Sequence, residues 1–542
     1  MPFRDSRKIR MRRPATVLIL TGLLAAAPFF AARTGEAETP EKFSQETEKV
    51  VSGPKIHKPG TPLPTFEPHD PLAITIEDAL LLTLENNRSL TLERLTRPIR
   101  GTYEEEERAV FDPVLGASLE YSIGSSDELS RNLPVISKTR EKQAEGRVGI
   151  SRFYATGTDI ELNLTSRRTW TQWYSDWQEN RIGLNVTQAL LKGRGVDVNL
   201  ARLRQAGIDS RASGYELRGF AEALATLVEK TYWEYALAEH RIRIFEASLE
   251  VVDQQLRETE EMINVGTLAE TELTAVEAEK ALRRQNLINA RSELANKRLQ
   301  LIRLVNPAGP NLWDREVRLL DSPSVPNVTL EAVEPHVKLA LRFRPDLNQA
   351  RLGVSRGDLE IVRTRNGLLP KMDLFITLGK SGYADSFSGS ISDITDDSYD
   401  ALVGLTFQYP FKNRGAEARH QRAVLSKNQA LKALENLSQL IELDVRSAYI
   451  EVNRAQKQIS ATSLTRELQE EKLRIEAEKF RVGRSTNFLL AQVHRDLVSS
   501  QISEVEAVVS YLKALVELHR LEGSFFERRG IQAPGRDPVE DE

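Results

Sequence analysis

Two very long stretches of this 542-residue chain contain no proline, and that narrows what it can fold into. None occurs between Val196 and Asn306, and none between Lys412 and Gly530. In the first stretch, apolar residues recur at Leu217, Phe220, Leu224, Leu227, Tyr235, Ala238, Ile242, Phe245, Leu249, Val252 and Leu256, with Thr231 the one polar member. The spacing alternates three and four, the seam of a coiled coil. The second stretch repeats it at Leu437, Ile441, Val445, Ala448, Val452, Ala455 and Ile459. Gly195 to Gly266 covers 71 residues, roughly 105 Å of helix at 1.5 Å per residue. A helix that long cannot wrap a compact core and must lie beside partners.

Gly266 and Gly483 interrupt the two long helices at matching places, where glycine takes the left-handed turn that ends a helix. Return helices are predicted over Thr271–Val305 and Ser485–Phe526, the latter keeping a seam at Val498, Ile502, Val505, Val509, Leu512 and Val516. The two halves are tandem copies. Leu90 pairs with Leu347 and Pro113 with Pro370, each at an offset of 257, and Val265-Gly266 pairs with Val482-Gly483. Anchors in one order at several places argue for duplication. The copies are read as residues 74–306 and 330–528, joined by a proline-containing linker at 307–329 and followed by a polar tail at 529–542.

Each copy holds strands of period two. Leu115, Ala117, Leu119, Tyr121 and Ile123 alternate with polar or small residues, as do Ile160, Leu162 and Leu164. In copy two the series are Met372, Leu374, Ile376 and Leu378, then Ala401, Val403, Leu405, Phe407 and Tyr409. Such segments fit a membrane barrel with lipid outside and water inside. A half-buried antiparallel sheet alternates identically, so the strands alone leave both readings open. The offset between copies falls to about 220 among the strands, so copy one carries an insertion. Gly146–Phe153 and Thr158–Thr165, turning at Ala155-Thr156-Gly157, read as an extra hairpin or as a folded extracellular loop.

The N-terminus carries Arg4, Arg7, Lys8, Arg10, Arg12 and Arg13 before an apolar run from Ala15 to Ala32. This reads as an export signal over residues 1–37, with a single membrane anchor as the alternative. Residues 38–73 are rich in proline and read as an extended segment. No other stretch is apolar enough to span a bilayer as a helix, so any further crossing requires strands. The net charge of -4 indicates no nucleic-acid-binding surface. With no cysteine, disulfides, thiolate metal sites and thiol nucleophiles are excluded. The seven histidines show no ligand spacing and read as surface residues, and no catalytic or cofactor motif is found. The chain does not read as an enzyme.

With its tandem copies, its Val-Gly turns, Arg344-Pro345-Asp346-Leu347 and the phrase from Leu184 to Gly195, the chain resembles the outer-membrane efflux protein family of TolC-like channel subunits. The resemblance implies an α+β membrane protein in which a long coiled-coil helical barrel joins a transmembrane antiparallel β-barrel, completed by trimerisation. It implies an exit duct for efflux or type I secretion, served by a periplasmic adaptor and an inner-membrane transporter and seated in outer-membrane lipid. No cofactor is implied.

On the same resemblance, Gly266 and Gly483 are the helix-hairpin turns that contact the adaptor. Thr271, Glu272, Phe480 and Arg484 then surround the channel entrance, where Glu272 and Arg484 are either a latch pair or solvated helix-end charges. Some members carry a carboxylate ring six and nine residues after the second turn glycine. Leu489 and Gln492 stand there, so that ring is absent. Trp170, Trp173, Tyr174 and Trp177 read as an interface belt or as an extracellular loop packed on itself. The rival reading of the whole chain is a periplasmic coiled-coil scaffold or surface protein without a pore.

Overall fold

A computed structural model describes residues 56, 58, 71–129, 136–171, 175–307, 312–326 and 330–540. The segment read as an export signal and most of the proline-rich segment lie outside the described residues. After the short strand β1 (Leu72–Ile74) come helices α1 (Ile76–Asn86) and α2 (Arg88–Ala109), then strands β2 (Val114–Leu129), β3 (Ile136–Tyr154), β4 (Thr158–Thr171) and β5 (Trp177–Ala189). A single turn, α3 (Val196–Asn199), leads into α4 (Ala201–Asn264), which returns as α5 (Thr271–Val305). The second half begins with β6 (Val317–Leu319) and continues as α6 (Val333–Phe343), α7 (Pro345–Asn366), β7 (Lys371–Ala384), α8 (Phe387–Asp393), β8 (Tyr399–Gln408), α9 (Arg414–Arg481) and α10 (Asn487–Leu521).

Lengths recur between the halves. Helices α1 and α6 have 11 residues each, α2 and α7 have 22, and α5 and α10 have 35. The long helices α4 and α9 have 64 and 68 residues, about 95–100 Å at 1.5 Å per residue. They run the length of the helical part. On the sheet side the helices pack in the order α9, α7, α4, α2; on the far side the order is α9, α10, α4, α5.

Local chemistry sets the boundaries. Thr75 and Asp78 form a capping box at the start of α1. Asn87 accepts from the Ser89 and Leu90 amides to start α2, while its Nδ2 donates to the Leu304 carbonyl at 2.8 Å. Gly523, at φ +70°, ends α10 earlier than expected and turns Phe525 and Phe526 into the core, where both are fully buried. That core gathers β1, α1, α4 and the C-terminal turn, and it also takes in Ile56 from the proline-rich segment. A second core joins α6 and α7 to Ile441, Val445, Val452 and Ala455 of α9, as the heptads of the second copy predict.

The seam expected on α4 needs correction. Phe220 and Leu227 are 37% and 50% exposed, while Ala221, Ala225, Val228 and Tyr232 are buried. Several helices cross α4 here, and its small residues face the closest crossings. The histidines also need correction, because His336 is buried and bonded to Glu522.

The strands form one antiparallel six-stranded sheet in the order β2-β3-β4-β5-β7-β8. The insertion is the β3–β4 hairpin, a full part of the sheet. Its turn is held from below: Asn199 Nδ2 donates to the Ala155 carbonyl at 2.9 Å and Gly195 N to that of Thr156 at 3.3 Å. Gly157 is obligatory twice over, with φ +88° and a Cβ position only 2.3 Å from the Gly193 carbonyl oxygen.

Candidate functional site: a two-faced wall and two hairpin tips

Residues directly opposite in an antiparallel ladder share a face, so the register assigns every strand position. One face carries Leu115, Leu119, Tyr121 and Ile123 of β2, Val148 and Ile150 of β3, Leu162 and Leu164 of β4, Ile182 of β5, Leu378 of β7, and Val403, Leu405 and Phe407 of β8. All of these are exposed, Leu119 to 82%. The other face carries Glu145, Arg147, Arg167, Glu179, Arg181 and Asp400, joined by ion pairs at 2.8 Å (Arg167–Glu145), 3.2 Å (Arg147–Glu145), 3.5 Å (Arg167–Glu179) and 2.5 Å (Arg181–Asp400). A half-buried sheet covers its apolar face. Here the apolar face is bare and the charged face is concealed in its own pairing, which is the polarity of a barrel wall with lipid outside and water inside. The wall ends in two edges, β2 and β8, that are unpaired among the described residues.

The predicted aromatic belt divides. Trp170 lies on the apolar face opposite Lys142, with the Arg168 guanidinium 5.5 Å from its ring. Trp177 lies on the charged face, its ring 5.9 Å from Tyr383, whose hydroxyl donates to Glu179. Trp173 and Tyr174 lie outside the described residues. A clearer girdle occupies the helix-side end of the wall, where Phe407, Tyr409 and Phe411 are 64%, 52% and 97% exposed. Its signal was the alternation Phe407-x-Tyr409-x-Phe411 just before α9.

At the far end of the helices, the two turns have the same geometry. Gly266 (φ +77°) and Gly483 (φ +72°) each end their helix. The Thr267 amide donates to the Met262 carbonyl and the Arg484 amide to that of Lys479, both at 2.8 Å, the six-to-one bond of a Schellman cap. Val265 and Val482 beside them are 78% and 63% exposed. Thr271 starts α5 on the surface and Glu272 follows it half-buried; Phe480 is half-buried, and Arg484, Leu489 and Gln492 are exposed.

Among the described residues Glu272 and Arg484 form no ion pair within the chain. The pair that links the two hairpins near the tips is instead Arg495–Glu279 at 2.6 Å, with Arg283 also 2.6 Å from Glu279. Glu279 and Arg283 are buried. Burial pushes the Arg283 guanidinium down, and burial together with the Arg283 charge pushes His494 down. Nearer the second tip, Gln255 bonds Asn487 at 3.0 Å; farther from the tips, Arg241 pairs with Glu506 and Lys230 meets Glu517 at 2.6 Å. Periodicity alone does not reveal such cross-hairpin partners. Among the described residues no acidic, histidine or cysteine cluster suits a metal ion, and no helix is long and apolar enough to cross a membrane.

The family model described as outer membrane efflux protein matches residues 337–524. Outer membrane protein TolC of Escherichia coli (strain K12) is 26% identical over 312 residues, 56% of this chain and 62% of the relative. The chain thus matches about three fifths of that curated relative's length. The proteases secretion protein PrtF of Dickeya chrysanthemi is 21% identical over 72% of this chain and 84% of its own. Among solved structures, the outer-membrane channel OprN superposes with a TM-score of 0.62 at 17% identity, covering 88% of this chain and 99% of that one. The open-state MtrE outer membrane channel of Neisseria gonorrhoeae gives 0.58 at 16%, covering 87% and 95%. Over these spans the chain is similar to outer membrane efflux proteins of the TolC type, and the names of these relatives point to the outer membrane of a Gram-negative envelope.

Proposed function

We propose that three copies of this chain close one shared barrel and one helical tunnel, a passive exit duct for efflux or type I secretion. The observation that carries this is the sheet with a bare apolar face and two open edges. Unpaired strand edges are not tolerated in lipid, so β8 of one copy must meet β2 of the next. Six strands per copy give a barrel of 18, a size that leaves an aqueous lumen. The helices support the same closure. On α9, Leu464, Leu468 and Ile475 form a second stripe, 57%, 62% and 48% exposed, and on α5 Ile288 is 67% exposed. These stripes lie at the two outer edges of the four-helix layer.

In the assembled duct the tips form the inner end. Thr271, Glu272, Phe480 and Arg484 surround the entrance, with Leu489 and Leu490 supplying an apolar constriction in place of a carboxylate ring. A periplasmic adaptor seats on the Gly266 and Gly483 turns, and an inner-membrane transporter supplies the energy.

The test is the mass of the protein extracted in detergent from purified outer membranes, by light scattering, followed by conductance in planar bilayers. Three chains per particle and ion-conducting steps are expected. A monomer or dimer recovered from the soluble periplasm would favour the pore-free scaffold. A Glu272→Lys variant is expected to raise basal conductance, and an unchanged value would retire Glu272 as a latch between copies.

A further inference from the structure

Just beyond the apolar band, on the same outward face, the strands change character. On β3 the outward series runs Ile150, Val148, Gly146, Ala144 and then Lys142 and Arg140. On β4 it runs Ile160, Leu162, Leu164, Ser166 and then Arg168 and Trp170. On β7 Leu374, Ile376 and Leu378 give way to Lys380. All four cations are exposed. No carboxylate stands directly across the ladder from any of them: their partners are Ile123 and Trp170, Ser125, Ala144 and Gln178, and Ile182 and Tyr399. Every ion pair that the sheet forms among the described residues lies on the opposite, inner face. Lys138 on this face stands across from Asp127, and Lys380 Nζ donates to the Thr395 carbonyl at 3.3 Å. Among the described residues, then, Arg140, Lys142, Arg168 and Lys380 make the outward rim basic without forming an ion pair there.

A second observation concerns α8, from the loop between β7 and β8. It lies against this outward face and not over the lumen, because Asn180 Nδ2 donates to the Phe387 carbonyl at 3.2 Å and to Ser390. Gly382, also outward, sits so close beneath it that a Cβ would be 2.0 Å from the Ser390 carbonyl oxygen. The helix holds Phe387 and Ile391, one turn apart, 44% and 47% exposed. Two apolar side chains on the lipid side of the wall, between Arg168 and Lys380, fit the boundary between headgroups and acyl chains.

We propose that this outward rim, formed by Arg140, Lys142, Arg168 and Lys380 with Trp170 and α8, binds the phosphorylated headgroups of the outer-leaflet glycolipid. Unpaired cations at the level of an anionic surface gain by exchanging water and mobile counterions for fixed phosphates. The indole of Trp170 beside Arg168 suits the same interfacial depth. The site is independent of whether the tunnel conducts.

The experiment uses the full protein purified in detergent and stripped of bound lipid, with bisphosphorylated lipid A and the same lipid lacking both phosphates as probes. Binding by native mass spectrometry is expected only for the phosphorylated form and is expected to weaken as salt is raised. The Arg140→Gln/Lys142→Gln/Arg168→Gln variant is expected to lose affinity by on the order of fivefold per charge. The charge-keeping Arg140→Lys/Lys142→Arg/Arg168→Lys variant is expected to bind within about twofold of the parent, which separates charge from misfolding. Equal binding of both lipids by the parent protein, or an unchanged affinity in the glutamine variant, overturns the proposal. Conductance should be the same in all three proteins.

Discussion

Arg495 on α10 donates to Glu279 on α5 at 2.6 Å, so the returning arms of the two helical hairpins are tied to each other within one chain. Glu279 serves two cations, since the buried guanidinium of Arg283 also lies 2.6 Å from it. Because the partners sit 12 and 13 residues past their turn glycines, the tie lies about 20 Å from the tips. Such a tie resists the sliding of one hairpin past the other.

Glu279→Gln should therefore act twice. It leaves Arg283 buried without an anion, which costs about 3–5 kcal/mol for a fully buried pair. It also releases Arg495, whose side chain is 37% exposed and is readily resolvated. Lower thermal stability together with more frequent channel opening in planar bilayers is the expected outcome. Lower stability with unchanged opening would leave the pair a packing device and nothing more.

The turn glycines should rank by their surroundings. At Gly266 and Gly483 an added Cβ meets nothing within 4 Å, so alanine there suffers only from the positive φ, about 1–2 kcal/mol. At Gly157 alanine meets the same penalty and also the Gly193 carbonyl at 2.3 Å. Gly157→Ala should thus impair recovery of the protein from outer membranes, whereas Gly266→Ala should be recovered normally and melt a few degrees lower. Heat-resistance of the extracted particle on a gel compares the three variants directly.

Acid should act through His519. Burial and the charges of Arg528, Arg529 and His336, against the opposing Glu522, hold its imidazole at about 4. The unfolded chain takes up that proton near pH 6.5, before the folded chain does. Stability from this group is thus full above about pH 6.5 and falls as pH drops toward 4. The loss is at most about 3 kcal/mol. Glu222, which burial pushes up to about 7 against the pull of Arg218, has the opposite slope. The decisive quantity is therefore the difference between the parent and His519→Gln. The gap between their melting temperatures should change steadily between pH 6.5 and 4, and a constant gap would show that His519 does not titrate there.

Much of this architecture is legible in the residues. Proline-free heptads announce α4 and α9, and the Val-Gly pairs mark both turns. Alternation around Ala155-Thr156-Gly157 leaves an extra hairpin or a folded loop open, which the strand order β2-β3-β4-β5 decides for the hairpin. What escapes has a common cause, because periodicity describes one element and not how two elements meet. Phe220 and Leu227 fit the seam but are displaced by small residues where helices cross α4. The Arg495–Glu279 tie depends on the axial register of two hairpins. Trp170 and Trp177 fall on opposite faces because strands β4 and β5 pair Thr169 with Trp177, so the parity of the connecting loop, invisible to alternation, decides the face.

The inserted hairpin offers the most direct test of the barrel. Strand β2 runs away from the helices and β5 returns toward them, so deleting residues 132–173 leaves two strands that can pair antiparallel without any change of direction. The deletion removes the contacts from Asn199 to Ala155 and from Gly195 to Thr156. Both lie at the exposed junction below the sheet, so the long helices keep their cores. In the proposed trimer, four strands per copy would close a barrel of 12 instead of 18, and barrel diameter grows roughly linearly with strand number. Electron microscopy of detergent-extracted particles should show the sheet end narrowed to about two thirds while the helical tunnel keeps its width. An unchanged diameter would mean that β3 and β4 lie outside the barrel wall. Failure to assemble would mean that the wider ring is needed to match twelve helices below it, and that the hairpin is not a separable insertion.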